Sequence, residues 1–236
     1  VRNGADDLFF LTGSAVSEQG LAPYILPGPT VFIERLALMV PQASAARRPA
    51  DLAGATVCLM IGSNAQRALE ATAERQHMNI VRLGFEEDVE MLDAYNVQRC
   101  QAVVGEATAL AAMRQTAGVN HLKSRILEPP LALAPVSAAT GPGDGRWSAI
   151  VAWVMDTLIL ADRRSSAWRA SGADAERLPA AELGLHADWQ RQVIREIGGY
   201  GDLLRRNLGD GSGLRLQPGP NAPWPDGLLL PFGTDD

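Results

Sequence analysis

Three observations on this 236-residue chain predict an α/β fold with a mostly parallel sheet and helices on its faces. Between residues 55 and 114, short apolar runs alternate with helix-forming segments, the pattern of strand–helix units packed in layers. Ala55 to Ile61 looks like a buried strand, and a Gly-Ser-Asn turn follows it directly. Apolar residues make up 47% of the chain and charged residues 20%, which supplies a core and argues against general disorder.

The elements follow in order. Asp7 to Leu11 reads as a buried strand, broken by Thr12-Gly13-Ser14. Pro27-Gly28-Pro29 reads as a turn. Thr30 to Ile33 and Leu36 to Val40 read as two strand segments with Glu34-Arg35 between them. Pro41 to Pro49 is a small, polar loop. Ala65 to Gln76 carries helix formers with Leu69 and Ala73 on one face, and Ser63 with Gln66 fits a capping box. Asn79 to Leu83 is a strand, and Asp88 to Asn96 a helix with Val89 and Leu92 inward. Gln101 to Val104 is a strand and Ala107 to Arg114 a helix. Leu131 to Val136 is extended, and Ala138 to Gly145, rich in small residues, reads as a boundary. Beyond it, Trp147 to Leu160 aligns Ile150, Val154 and Leu158. Trp189 to Leu208 aligns Trp189, Val193, Ile197, Leu204 and Leu208. The tail from Gln217 to Asp236 has no period.

Composition excludes some functions. Lys+Arg is 21 against Asp+Glu 27, a net charge of −6, which is unsuited to phosphate-backbone binding; no nucleic-acid partner is expected. The longest apolar candidate, Ala149 to Ala161, is interrupted by Asp156 and falls short of the roughly 18 residues a membrane span needs. His77, His121 and His186 share no metal-ligand spacing, so no metal site and no cofactor are expected. Neither a nucleophile elbow nor a paired-carboxylate motif is present, and the chain is not read as an enzyme. Cys58 and Cys100 are either two buried thiols or a disulfide, the latter implying an oxidising compartment.

Three places could hold a ligand. Gly62-Ser63-Asn64 joins a strand to a helix, where free backbone N–H groups attract anions, although ordinary capping also explains it. Glu106 follows the strand ending at Val104. Ligands of open α/β sheets bind at the carboxyl ends of strands, where an acid could hold an ammonium. Thr12-Gly13-Ser14 again places polar groups beyond a strand, and turn chemistry explains it equally well.

Several segments together resemble a known family. They are Gly184-Leu185-His186-Ala187-Asp188-Trp189, Ile197-Gly198-Gly199-Tyr200-Gly201 and Arg206-Asn207-Leu208-Gly209. With them go Gly143-Asp144-Gly145-Arg146-Trp147 and the tail Gly219-Pro220-Asn221-Ala222-Pro223-Trp224. They are similar to the periplasmic solute-binding proteins of polar amino-acid ABC transporters, above all the general L-amino-acid branch. The resemblance covers most of the chain and begins part-way through the first lobe. It implies a type II periplasmic-binding-protein fold, two α/β lobes joined by hinge strands, with the first lobe incomplete. Residues 1–37 and 138–236 would form the first lobe and 38–137 the second.

The resemblance implies an amino-acid-type solute-binding component of an ABC uptake transporter, holding its ligand between two lobes. The alternative is a ligand-poor descendant acting as a sensor or interaction module. The implied setting is periplasmic. The implied partners are an amino acid or amine, an ABC permease, and a second copy of the chain covering the incomplete lobe. The chain starts at Val1 with no initiator Met and no signal peptide, so a preceding segment is expected to have been removed. Cys58 and Cys100 fall where the branch carries its cysteine pair, which implies a disulfide. Gly62-Ser63-Asn64 matches the turn that helps hold the ligand carboxylate. Glu106 matches the acid that binds the ammonium, an Asp in the family. Thr12-Gly13-Ser14 matches the polar lining of the first lobe. Glu18 aligns with the Arg that clamps the carboxylate, a charge reversal. Two acids without a cationic clamp would favour cationic amino acids or amines.

Overall fold

The computed structural model describes residues 7–18, 20–115, 123–163, 180–223 and 226–230. The chain divides into two compact units. The first is Val1–Ile33, Pro135–Ser212 and Gln217–Asp236; the second is Glu34–Ala134 with Gly213–Leu216.

The second unit is built on β2 (Leu26–Pro41, whose second half lies here), β3 (Thr56–Met60), β4 (Val81–Phe85), β5 (Ala102–Glu106) and β6 (Ser124–Ile126). β5, β3 and β4 are parallel neighbours in that order, while β2 pairs antiparallel with β5 and with β6. Successive side chains leave a strand on opposite faces, so each strand feeds two cores. Leu38, Val40, Val57, Leu59, Ala102 and Val104 face one side, against Ala65 and Leu69 of α2 (Asn64–Arg75). Ala37, Met39, Cys58 and Val103 face the other. There they meet Met91, Leu92 and Tyr95 of α3 (Asp88–Asn96) and Leu110 of α4 (Ala107–Gln115). Burying a Leu or Met contributes about 1.5–3 kcal/mol each, and these two cores hold the unit together. A disulfide joins Cys58 of β3 to Cys100 just before β5, with Cα atoms 5.7 Å apart and both residues buried.

In the first unit β1 (Leu8–Thr12) pairs antiparallel with β7 (Ala132–Thr140), which lies beside β2. α1 (Gly13–Glu18) follows β1 at once. Leu21, Ile25 and Ala139 pack with Phe9, Leu11 and Val16. A second core gathers Ile33, Leu158, Ile159, Tyr200 and Leu229 around α5 (Gly145–Arg163), α6 (Trp189–Ile197) and α7 (Tyr200–Asn207). Asn221, buried in the tail, pins β2 into this unit: Ile33 N–H donates to its Oδ1 at 2.6 Å, and its Nδ2 donates to Ile33 O at 2.9 Å.

Several sequence expectations are corrected. Pro27-Gly28-Pro29 is strand, not turn, and β2 runs unbroken through Glu34-Arg35. The prolines stand near the start of that strand, where their missing N–H groups cost no central ladder bonds. β1 is half-exposed rather than buried, with Phe10 turned outward. Val89 is exposed on α3, and Met91, Leu92, Ala94 and Tyr95 form its inward face. β4 begins at Val81 instead of Asn79, and β7 continues to Thr140 through the presumed boundary. The segment from Trp189 to Leu208 is two helices, split where Gly198 adopts φ +87°, a conformation L side chains rarely take. β6 went unread; three residues are too few for a period. His121 and Trp224 lie outside the described residues.

Candidate functional site

β3 and β5 are parallel neighbours in register Val57↔Ala102 and Cys58↔Val103, so their carboxyl ends share one edge of the second unit. Gly62-Ser63-Asn64 follows β3 on that edge and Glu106 ends β5. The structure thus brings these two sequence candidates together. β5 extends two residues past the expected Val104, which makes Glu106 a strand residue rather than the start of a helix.

The turn has a definite construction. Gly62 adopts φ +77° with open space where a Cβ would stand, which lets β3 reverse into α2. Ser63 is the N-cap and its Oγ accepts from Gln66 N at 3.1 Å. Gln66 returns the contact one residue earlier than a capping box requires, its Oε1 accepting from Gly62 N at 2.8 Å. The Asn64 and Ala65 backbone N–H groups, first in the helix, take no intrahelical partner. α2 carries no acidic residue in its first turn, leaving the positive end of the helix uncompensated. Sequence reasoning missed Arg67, whose guanidinium folds back over this turn. It donates to Gly62 O at 3.1 Å and to Asn64 Oδ1 at 2.5 Å. Spacing could have found the second contact: Asn64 and Arg67 are three apart at the start of α2 and are neighbours on the helix surface.

Around Glu106 the missed residue is Glu34. Leu36 pairs with Glu106 across β2 and β5, so Glu34, two residues along β2, points to the same face. Glu34 is buried at 6% exposure. Its Oε1 accepts from Arg35 N at 2.8 Å, and Thr108 Oγ1 donates to its Oε2. Arg35 itself turns its guanidinium away to Glu128, 2.8 Å off, and the Arg35 N–H and Thr108 hydroxyl that meet Glu34 are neutral donors. Partial burial, and then the nearby Glu34 charge, hold the Glu106 carboxyl above the usual carboxylate range.

In the first unit Thr12 ends β1, and Thr12-Gly13-Ser14 leads into α1 rather than forming a loop. Thr12 Oγ1 accepts from Ala15 N at 3.3 Å and lies 3.0 Å from Ser14 Oγ, which is capping chemistry. Glu18 is the last residue of α1, and its side chain lies outside the described part. Among the described residues, no group of three His, Cys, Asp or Glu side chains could hold a metal ion, and no helix is long and apolar enough to cross a membrane. A groove lined by Leu69, Glu70, His77, Ile80 and Arg82 lies where β4 begins, at the opposite edge of the second unit from Glu106 and Gly62.

A solved ABC-transporter periplasmic binding protein from Brucella ovis, with glutathione bound, superposes with a TM-score of 0.69 at 22% identity. The match covers 86% of this chain and 68% of that one. The fold is that of the type II periplasmic binding proteins. The second substrate-binding domain of an amino-acid ABC transporter from Streptococcus pneumoniae agrees, with a TM-score of 0.55 at 14% identity over 89% of this chain and 76% of that one. No family model matches the chain.

Among curated sequences, the chain is similar to the general L-amino acid-binding periplasmic protein AapJ of Rhizobium johnstonii. Identity is 26% over 214 residues, covering 84% of this chain and 62% of AapJ. It is also similar to the glutamate/glutamine/aspartate/asparagine-binding protein BztA of Rhodobacter capsulatus, 25% identical over 76% of this chain and 57% of that protein. A third relative, named "Putative amino-acid ABC transporter-binding protein YhdW", from Escherichia coli, is 24% identical over 75% of this chain and 56% of that protein. The first two names are those of amino-acid-binding proteins, the first of them periplasmic, and the third is that of an amino-acid ABC transporter-binding protein. This chain spans about 60% of their length.

Proposed function

We propose that this type II binding-protein chain is the amino-acid-binding component of an ABC uptake transporter, working in the periplasm beside a permease. The observation that carries the reading is the shared edge of β3 and β5. Asn64 and Ala65 offer helix-terminal N–H groups to a carboxylate, and Glu106 offers an acid to an ammonium on the neighbouring strand. Thr12, Gly13, Ser14 and Glu18 are the proposed contribution of the first unit, with Gly62, Ser63, Asn64 and Glu106 that of the second. No bond is made or broken: binding does work by favouring one conformation over another. The Cys58–Cys100 bond supports the oxidising compartment. The exposed Phe10 and Leu26 of the first unit support a second copy as partner, which light scattering tests.

Thermal unfolding with a panel of L-amino acids tests the reading. A ligand at 100 times its Kd stabilises by about 2.7 kcal/mol, so at least one should raise the midpoint by about 5 °C or more. A flat response across the panel favours the ligand-poor interaction module instead.

A further inference from the structure

The proposed edge carries an apparent charge imbalance. Glu106 ends β5, and Glu34, buried to 6% exposure and met by the neutral donors Arg35 N and Thr108 Oγ1, lies on the same face. Two carboxylates attract an ammonium and repel the carboxylate attached to it. An α-amino acid therefore needs a cation on the same edge, and Glu18 does not supply one from the aligned position.

Arg67 meets that need. It lies near the start of α2, where a cation works against the helix dipole and an acid would be favoured, yet the first turn carries no acid. Its exposed guanidinium is held over the Gly62-Ser63-Asn64 turn through Gly62 O and Asn64 Oδ1. That turn follows β3, the parallel neighbour of β5. Adjacent strands stand about 4.8 Å apart, so the turn and Glu106 occupy neighbouring positions on one edge of the sheet.

We infer that Arg67 is the specificity-determining cation of this site, pairing with the ligand α-carboxylate beside the Asn64 and Ala65 N–H groups while Glu106 and Glu34 face the α-ammonium. The inference rests on the amino-acid-binding reading proposed above. It makes the second unit complementary to a whole zwitterion, and it replaces the expectation that two acids without a clamp would select amines. A planar guanidinium matches a carboxylate in a way an ammonium does not.

Calorimetry on the full chain tests this with L-glutamine and with 4-aminobutanamide, which lacks only the α-carboxylate. Arg67→Met should weaken glutamine about tenfold or more, the scale of one charge-assisted hydrogen bond, and Arg67→Lys should recover part of the loss. The amine should lose less than glutamine does. The unfolding midpoint of each variant shows whether α2 has been disturbed. Unchanged glutamine affinity in Arg67→Met, or equal losses for both ligands, overturns the role of Arg67 while leaving amino-acid binding in place. A wild-type chain that binds neither compound overturns both.

Discussion

Glu34 and Glu106 lie on one face of adjacent antiparallel strands, the first buried and the second at the sheet's edge, and together they concentrate negative charge beside the Gly62-Ser63-Asn64 turn. Burial and the Glu34 charge both disfavour the ionised form of Glu106. In the free protein this is a cost; in the liganded one it is the attraction a cationic group would satisfy.

A pH dependence follows. The Glu106 carboxyl titrates above the usual carboxylate range in the folded chain, so its contribution to stability is present below the unfolded-state value and is lost as pH rises through the higher folded one. Glu106→Gln should therefore unfold at a higher temperature than wild type near pH 7, with the difference vanishing near pH 4. A variant less stable at neutral pH would show that the carboxylate has a cationic partner in the free protein.

Removing the disulfide should be costly. Cys58 and Cys100 close a loop of 42 residues by sequence separation, worth about 4 kcal/mol on the chain-entropy model. Cys58→Ser with Cys100→Ser should lower the denaturant midpoint of the second unit. Two reactive thiols per chain in the denatured, unreduced protein would contradict the bond.

Asn221 is the corresponding fastener of the first unit. Asn221→Ala leaves the Ile33 N–H and C=O buried without partners, at about 3 kcal/mol. Asn221→Asp keeps one acceptor and loses the donor, so it should fall between. Denaturant unfolding of the full chain reads both, and a midpoint unchanged in Asn221→Ala would show that β2 is held there by packing alone.

Much of the second unit was legible in sequence because its signals are local. The apolar run of β3, the Ser63 cap and the period of α2 each occupy fewer than about 15 residues, the range in which periodicity decides. The same local logic placed Gly62-Ser63-Asn64 beyond a strand end and Glu106 at the carboxyl end of the neighbouring one, though that strand runs two residues further than expected. What escaped depends on pairing. Glu34 read as a polar break because what it meets is distant in sequence: Glu106 shares its face on the neighbouring strand, and Thr108 at the start of α4 donates to it. Pro27 and Pro29 read as a turn because propensity speaks against strand, whereas their place near a strand's start makes them harmless. The break at Gly198 was hidden by apolar residues that keep period across it, although the Gly-Gly pair itself was the available warning. Arg67 escaped because its place over the Gly62-Ser63-Asn64 turn depends on how its side chain folds back, while the family's clamp aligns elsewhere, with Glu18.

Calorimetric titration of the full chain with L-glutamate, L-glutamine, L-arginine and 1,4-diaminobutane, repeated on Glu106→Ala, tests the central claim most directly. Saturable binding of at least one of the amino acids, weakened tenfold or more by Glu106→Ala as expected for a lost charge-assisted contact, is the predicted result. Binding indifferent to Glu106→Ala, or no heat with any of the four, would contradict it.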